Sequence, residues 1–141
     1  MFTWSTDIVG PGMTPTARDG SGSGGDGVWI QVSTQSDCAV ITVGGVVDLT
    51  ASPKLAMALQ TAIHNARMPR VVLDMTHLSF IDSTGLAVLI HARNQARLRG
   101  ASLALVNPPR LVEHLLVGTR LHDHFTVYET LHDALKQGSD L

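Results

Sequence analysis

Cysteine is nearly missing from this chain of 141 residues. Cys38 stands alone, so no disulfide can form within one chain and no zinc site built on several cysteines can exist. That pattern fits a reducing cytosol. Charge is sparse as well, at 16% of residues, with no run of Lys and Arg and a formal net charge of −2. A broad electrostatic attraction to nucleic acid or anionic lipid is thereby excluded, and a protein or small molecule is the expected partner. No apolar stretch approaches the length of a membrane span, and Met1-Phe2-Thr3-Trp4-Ser5-Thr6-Asp7 lacks the basic region and apolar run of a signal peptide. The expectation is a soluble, cytoplasmic protein.

What the chain does have is apolar side chains. Hydrophobic residues make up 44% of it, enough for the core of one domain and too short a chain for two. They are not spread evenly. Met1 to Gly27 holds seven of the 13 glycines, including the linker-like Gly20-Ser21-Gly22-Ser23-Gly24-Gly25, and a disordered tail over residues 1–27 is expected. Trp4, Ile8 and Val9 are the residues of that tail suited to docking as a short motif.

From Val28 onward the patterns alternate between strand and helix. Val28-Trp29-Ile30-Gln31-Val32 and Ala39-Val40-Ile41-Thr42-Val43 predict an antiparallel hairpin turning at Ser36-Asp37, and Gly44-Gly45 is expected to break the second strand. A helix follows to about Ala66, with Ser52 as N-cap, Pro53 at its first position, and Leu55, Met57, Leu59, Ala62 and Ile63 as its apolar surface. Arg70 to Met75 reads as a central strand. A helix from about Thr84 to Arg99, more buried in its N-terminal half and stopped by Gly100, leads to a parallel strand at Ser102–Val106. A short helix after Asn107-Pro108-Pro109, a small strand at Phe125–Tyr128 and a last helix near Thr130 complete an α/β domain, residues 28–141. Its sheet of four to five mixed strands is backed by about four helices.

One polar knot interrupts the apolar run Leu78-Ser79-Phe80-Ile81-Asp82-Ser83-Thr84-Gly85-Leu86. It sits where a strand turns into a helix, at a positive helix end that suits an oxygen or a phosphate. Ser83 is open to two readings from its position: an N-cap worth about 1 kcal/mol, or a phosphoacceptor whose phosphate the helix N-terminus holds. Asp82 is suited to binding a metal, orienting the serine hydroxyl or capping the helix, and the want of a second carboxylate nearby disfavours the metal. Asp48, before Thr50 and Ser52, reads as turn chemistry.

The stretch from Val71 to Leu89, together with Gly45-Val46-Val47-Asp48-Leu49-Thr50-Ala51-Ser52-Pro53-Lys54-Leu55, resembles the STAS family, the domain shared by sulfate transporters and bacterial anti-sigma factor antagonists. The likeness covers about Trp29 to Leu135. Leu78 to Leu86 looks like the family's phosphorylation-site signature, and Leu121 to Ala134 is similar to its C-terminal pattern. Val46 stands where the family often has an acidic residue. The resemblance implies a regulator that is not an enzyme and carries no cofactor. Its partner would be an anti-sigma factor with serine kinase activity. It implies that unmodified Ser83 permits binding and release of the sigma factor, that phosphate at Ser83 ends it, and that a phosphatase resets the cycle. Asp48, Thr50, Ser52, Asp82, Ser83, Thr84, Gly85 and Leu86 are the implied contact residues.

Other chemistries fit less well. A sensor or scaffold of the same fold, binding a nucleotide or lipid, needs no phosphorylation. A serine hydrolase needs a base beside Ser83, with His77 the nearest in sequence. Asp82-Ser83-Thr84-Gly85 is one residue too long for an aspartic protease motif, and no phosphate-binding loop precedes a Lys. His114 with His122, Asp123 and His124 is a weak metal proposal, and Arg93, Arg97 and Arg99 read as a solvated helix face.

Overall fold

The computed structural model describes residues 27–35, 37–65, 69–118, 120 and 125–139. The expected tail over residues 1–26, Ser36 of the turn, Ala66 at the expected helix end, and His122, Asp123 and His124 lie outside the described residues. Among those described, the order is β1 (Val28–Gln35), β2 (Cys38–Val47), α1 (Ser52–Ile63), β3 (Arg70–Ile81), α2 (Ser83–Leu98), β4 (Ser102–Val106), α3 (Arg110–Gly118), β5 (Thr126–Tyr128) and α4 (Leu131–Ser139). The five strands form one sheet in sequence order. β1 and β2 pair antiparallel, from Val28 opposite Gly45 to Gln35 opposite Cys38. The remaining neighbours are parallel. The mixed α/β sheet with four helices is the architecture read from the sequence.

Two clusters hold the layers together. On one face Ile41, Val43, Leu73 and Met75 of the sheet meet Leu55 and Leu59 of α1, Leu86 and Leu89 of α2, and Val112 and Leu116 of α3. On the other face α4 places Ala134 over Cys38, Val40, Val72 and Val106. Both faces of β2 and β3 are therefore covered at their N-terminal ends, which is why Val71-Val72-Leu73 reads as an unbroken apolar run.

Four expectations change. β2 runs through Gly44-Gly45 to Val47 without ending. It absorbs them with register shifts against β3, and Gly45 at φ 89° takes a backbone conformation that residues with a Cβ avoid. The strand beginning at Arg70 does not stop at Met75 but continues to Ile81, so its end delivers the polar knot directly into α2. Met57 is 66% exposed, because two positions from Leu55 is about 200° around a helix and faces away from the core. α1 itself ends at Ile63.

Arg70 ties the far end of the domain. Its guanidinium donates to Cys38 Sγ at 2.7 Å, to Ala134 O at 2.7 Å and to Asp37 Oδ1 at 3.4 Å. One side chain thus joins the hairpin, β3 and α4.

Candidate functional site

The site forms where β2 and β3 end side by side. Val47 pairs with Ile81, and the N–H of Asp82 donates to Val47 O at 3.1 Å. The loop after β2 and the corner after β3 are therefore one structural unit.

Asp82 is the N-cap of α2. Its backbone is extended, and its carboxylate accepts from Thr84 N at 2.9 Å, Gly85 N at 3.1 Å and Thr84 Oγ1 at 2.5 Å. The Thr84 hydroxyl is the largest influence and holds the Asp82 carboxyl below its ordinary value; desolvation, next in size, opposes it, and the neighbouring amides, Gly85 foremost, add to the lowering. Of the three roles open to Asp82, capping is the one this geometry performs.

Ser83 is therefore not the N-cap. It is the first residue of α2 and is exposed, and among the described residues no hydrogen bond involves its hydroxyl. Of the amides at the start of α2 that suit a phosphate, those of Thr84 and Gly85 already donate to Asp82. Ser83 is exposed and follows the capping carboxylate of Asp82 directly in the chain.

The loop Asp48–Ala51 caps α1 by a similar device. Asp48 Oδ1 accepts from Ala51 N at 3.0 Å, and Asp48 O accepts from Ser52 N at 2.8 Å. Ala51 occupies the N-cap position without a side-chain cap, so Ser52 does not serve as N-cap. It is 6% exposed and its hydroxyl donates to Leu49 O at 3.4 Å.

Of the eight residues implied as contacts, five reach the surface. Thr50 and Ser83 are exposed, and Asp48, Asp82 and Thr84 are partly so. Ser52, Gly85 and Leu86 are buried, which corrects their place in a contact surface. Gly85 has a packing reason to be glycine: a Cβ there would lie 2.5 Å from Ile81 Cγ1 and 2.9 Å from Val47 Cγ1. Two large apolar residues beside them are exposed. Leu49 is 70% and Phe80 47% exposed, and both flank the Asp82 knot. The signal for Leu49 was a lone large apolar residue inside a polar loop; Phe80 was hidden by the apolar run around it.

The competing chemistries find little support. The ring of His77 lies against Trp29 at a centroid separation of 5.7 Å. Four strand residues carry the chain about 13 Å from His77 to Ile81, which leaves His77 no hydrogen-bond reach to Ser83. His114 is exposed on α3, and no group of three metal-ligating side chains occurs among the described residues. A cleft of about 240 Å³ between α1 and α2 is lined by Ala56, Gln60, Ile63, Ala87, Val88, His91, Ala92 and Gln95. It is smaller than the roughly 300–1,000 Å³ of ordinary ligand pockets and has no Lys or Arg to hold a nucleotide's phosphates. No helix among the described residues is long and apolar enough to cross a membrane.

Comparison with known proteins gives a consistent picture. Residues 30–134 match the STAS domain. The anti-sigma F factor antagonist of Paenibacillus polymyxa is 26% identical over 110 residues, covering 77% of this chain and 92% of that protein. An anti-sigma factor antagonist from Mycobacterium paratuberculosis superposes with a TM-score of 0.72 at 24% identity, over 82% of this chain and 97% of that one. The Bacillus cell fate determinant SpoIIAA, in its phosphorylated form, superposes with a TM-score of 0.65 at 19% identity, over 77% and 97%.

Proposed function

The chain belongs to the STAS domain family, and from that premise we propose that it is a cytoplasmic anti-sigma factor antagonist whose binding is switched at Ser83. Unmodified, the corner formed by Asp48, Leu49, Thr50, Phe80, Asp82, Ser83 and Thr84 docks on a kinase-type anti-sigma factor and frees the sigma factor. The carrying observation is the exposed Ser83 hydroxyl at the first position of α2, left unused because Asp82 does the capping.

The switch is electrostatic. The partner transfers the γ-phosphoryl group of ATP to Ser83 Oγ, forming an O–P bond as ADP leaves and the hydroxyl proton passes to a base of the kinase. The product carries about −1.5 to −2 more charge at pH 7. That charge sits beside the Asp82 carboxylate, so a surface that accepted a neutral hydroxyl must now accommodate two anionic groups. The helix cap is untouched, so the fold persists while docking ends. A phosphatase restores the hydroxyl. Support comes from the Paenibacillus relative, an anti-sigma F factor antagonist, and from the phosphorylated form in which SpoIIAA exists.

The test is phosphorylation in vitro. Incubation with ATP and the kinase-type anti-sigma factor, followed by mass spectrometry, should place one phosphate on Ser83 and none on the Ser83→Ala variant. Equal labelling of both, or phosphate elsewhere, overturns the assignment.

A further inference from the structure

The cleft between α1 and α2 owes its shape to alanine. β2 and β3 are parallel neighbours, so the helices that follow them run back the same way, side by side. Where they face each other, α2 presents Ala87, His91 and Gln95 at four-residue spacing, and α1 presents Ala56, Gln60 and Ile63. Such spacing keeps each set on one face of its helix, over a length of about 12 Å. Leu55, Leu59 and Leu89 fill the core beneath with large side chains, but along the seam Ala56, Ala87 and Ala92 leave a hollow of about 240 Å³. Packed helices normally interlock their side chains without such gaps, so this is space that another molecule can occupy.

Neither helix turns a Lys, Arg, Asp or Glu into the cleft. The charged residues of the two helices are Lys54, Arg93 and Arg97. Each stands two positions from a wall residue, Ala56, His91 or Gln95, which is about 200° around the helix and away from the hollow. The floor is apolar, made by Ile63 and Ala92, both buried, and by Val88. At the mouth Gln60 and His91 are exposed and Gln95 is half-buried, and among the described residues no hydrogen bond engages their side chains. Water over such a floor finds few partners, and an apolar group that displaces poorly ordered water gains affinity.

We propose that this cleft binds a small uncharged molecule of one aromatic ring, or two fused rings, carrying a single hydrogen-bonding group. Size and chemistry both select it. An apolar cavity of about 150 Å³ suffices to hold benzene, so the hollow here has room for a second ring or a short substituent and not for a drug-sized frame. A carboxylate or phosphate would leave water without a cation to pair it. The ring lies on Ile63, Val88 and Ala92, and its N–H or O–H donates to the side-chain oxygen of Gln60 or Gln95. Occupancy requires neither a partner protein nor phosphate at Ser83.

Indole is the probe, with two fused rings, no charge and one N–H donor. Titrated into the full chain and followed through amide chemical shifts by NMR, it should move the signals of Ala56 to Ile63 and of Ala87 to Gln95, saturating with a Kd of about 1 mM or tighter. Ala56→Leu and Ala87→Leu each grow a side chain into the hollow, from opposite walls. Leu is nearly as good a helix former as Ala, so both variants should melt as the unaltered chain does and bind indole at least about tenfold more weakly. Indoleacetate, the same rings with a carboxylate, should also bind at least about tenfold more weakly than indole. No saturable shift up to about 10 mM indole, shifts scattered over other elements, or undiminished binding in either filled variant overturns the proposal. Indoleacetate binding as tightly as indole overturns the uncharged class. A dimer in sedimentation that Ala87→Glu disperses and indole does not gives the cleft to a second copy of the chain, and overturns it as well.

Discussion

The backbone N–H of Asp82 donates to the carbonyl of Val47 at 3.1 Å, and through it the ends of two neighbouring parallel strands act as one piece. The Asp82 carboxylate adds the amides of Thr84 and Gly85. One residue therefore caps α2, ties its start to the end of β2 and leaves the next residue, Ser83, with a hydroxyl that makes no hydrogen bond among the described residues. Capping falls to Asp82 and the proposed phosphoacceptor is its neighbour, so a change at one need not disable the other.

That division predicts an asymmetry at Asp82. Asp82→Ala removes the acceptor for two helix amides and should lower the melting temperature by several degrees. Asp82→Asn retains an oxygen of similar reach, and Asn caps helices about as well as Asp, so most of the stability should return. Calorimetric melts of the three proteins at neutral pH decide it; equal losses in both variants would contradict a capping role.

The same carboxyl sets a pH dependence. Its folded value is depressed below the ordinary carboxylate range, so its contribution to stability is present above the unfolded value and is lost as pH falls through the folded one. Unfolding midpoints measured from pH 6 down to pH 3 should fall more steeply for the unaltered chain than for Asp82→Asn. Parallel curves would show that the cap is indifferent to charge.

Much of this was legible in the residues, and the misses have physical causes. The strand and helix order, the hairpin, the Gly100 stop and the knot at Asp82–Thr84 follow from local pattern, which short-range sterics and periodicity control. Which of Asp82 and Ser83 caps the helix did not follow, because both are good caps and the choice turns on a single residue of register at the strand end. The burial of Ser52 and Gly85 likewise depends on Leu49 O and on Ile81 and Val47, contacts supplied by loop closure and by β2. Gly44-Gly45 read as a break because two glycines weaken a strand, whereas pairing on both sides outweighs that cost.

Arg70 supplies a prediction about stability away from the corner. Its guanidinium serves Cys38 Sγ, Ala134 O and Asp37 in one planar fork, and a charged donor of this kind is worth about 1.5–3 kcal/mol. Arg70→Ala should cost about 2 kcal/mol in urea unfolding, and Arg70→Lys should recover only part, since an ammonium cannot span the same fork. Full recovery by Lys would show that charge alone matters there.

Leu49 should be a binding residue and not a folding one. At 70% exposed, its side chain contributes little to the core, yet burying it against a partner is worth about 1.5–3 kcal/mol. Leu49→Ser should weaken the complex with the anti-sigma factor by roughly tenfold or more and leave the melting temperature within about a degree. Unchanged affinity in calorimetry would remove the Asp48 loop from the interface.

Ser83 separates the effect of charge from that of the hydroxyl. Because Asp82 already occupies the Thr84 and Gly85 amides, a carboxylate at position 83 finds no vacant donors among them and remains at the surface facing the partner. Ser83→Asp should fold with unaltered stability while its affinity for the anti-sigma factor falls by at least about tenfold, the equivalent of 1.4 kcal/mol. Ser83→Ala, which removes only an unbonded hydroxyl, should bind as the unaltered chain does. Raising salt should recover part of the Ser83→Asp loss, because repulsion between surface charges is screened within about 10 Å at 0.1 M. Equal affinities for the two variants would mean that charge at the start of α2 does not control docking.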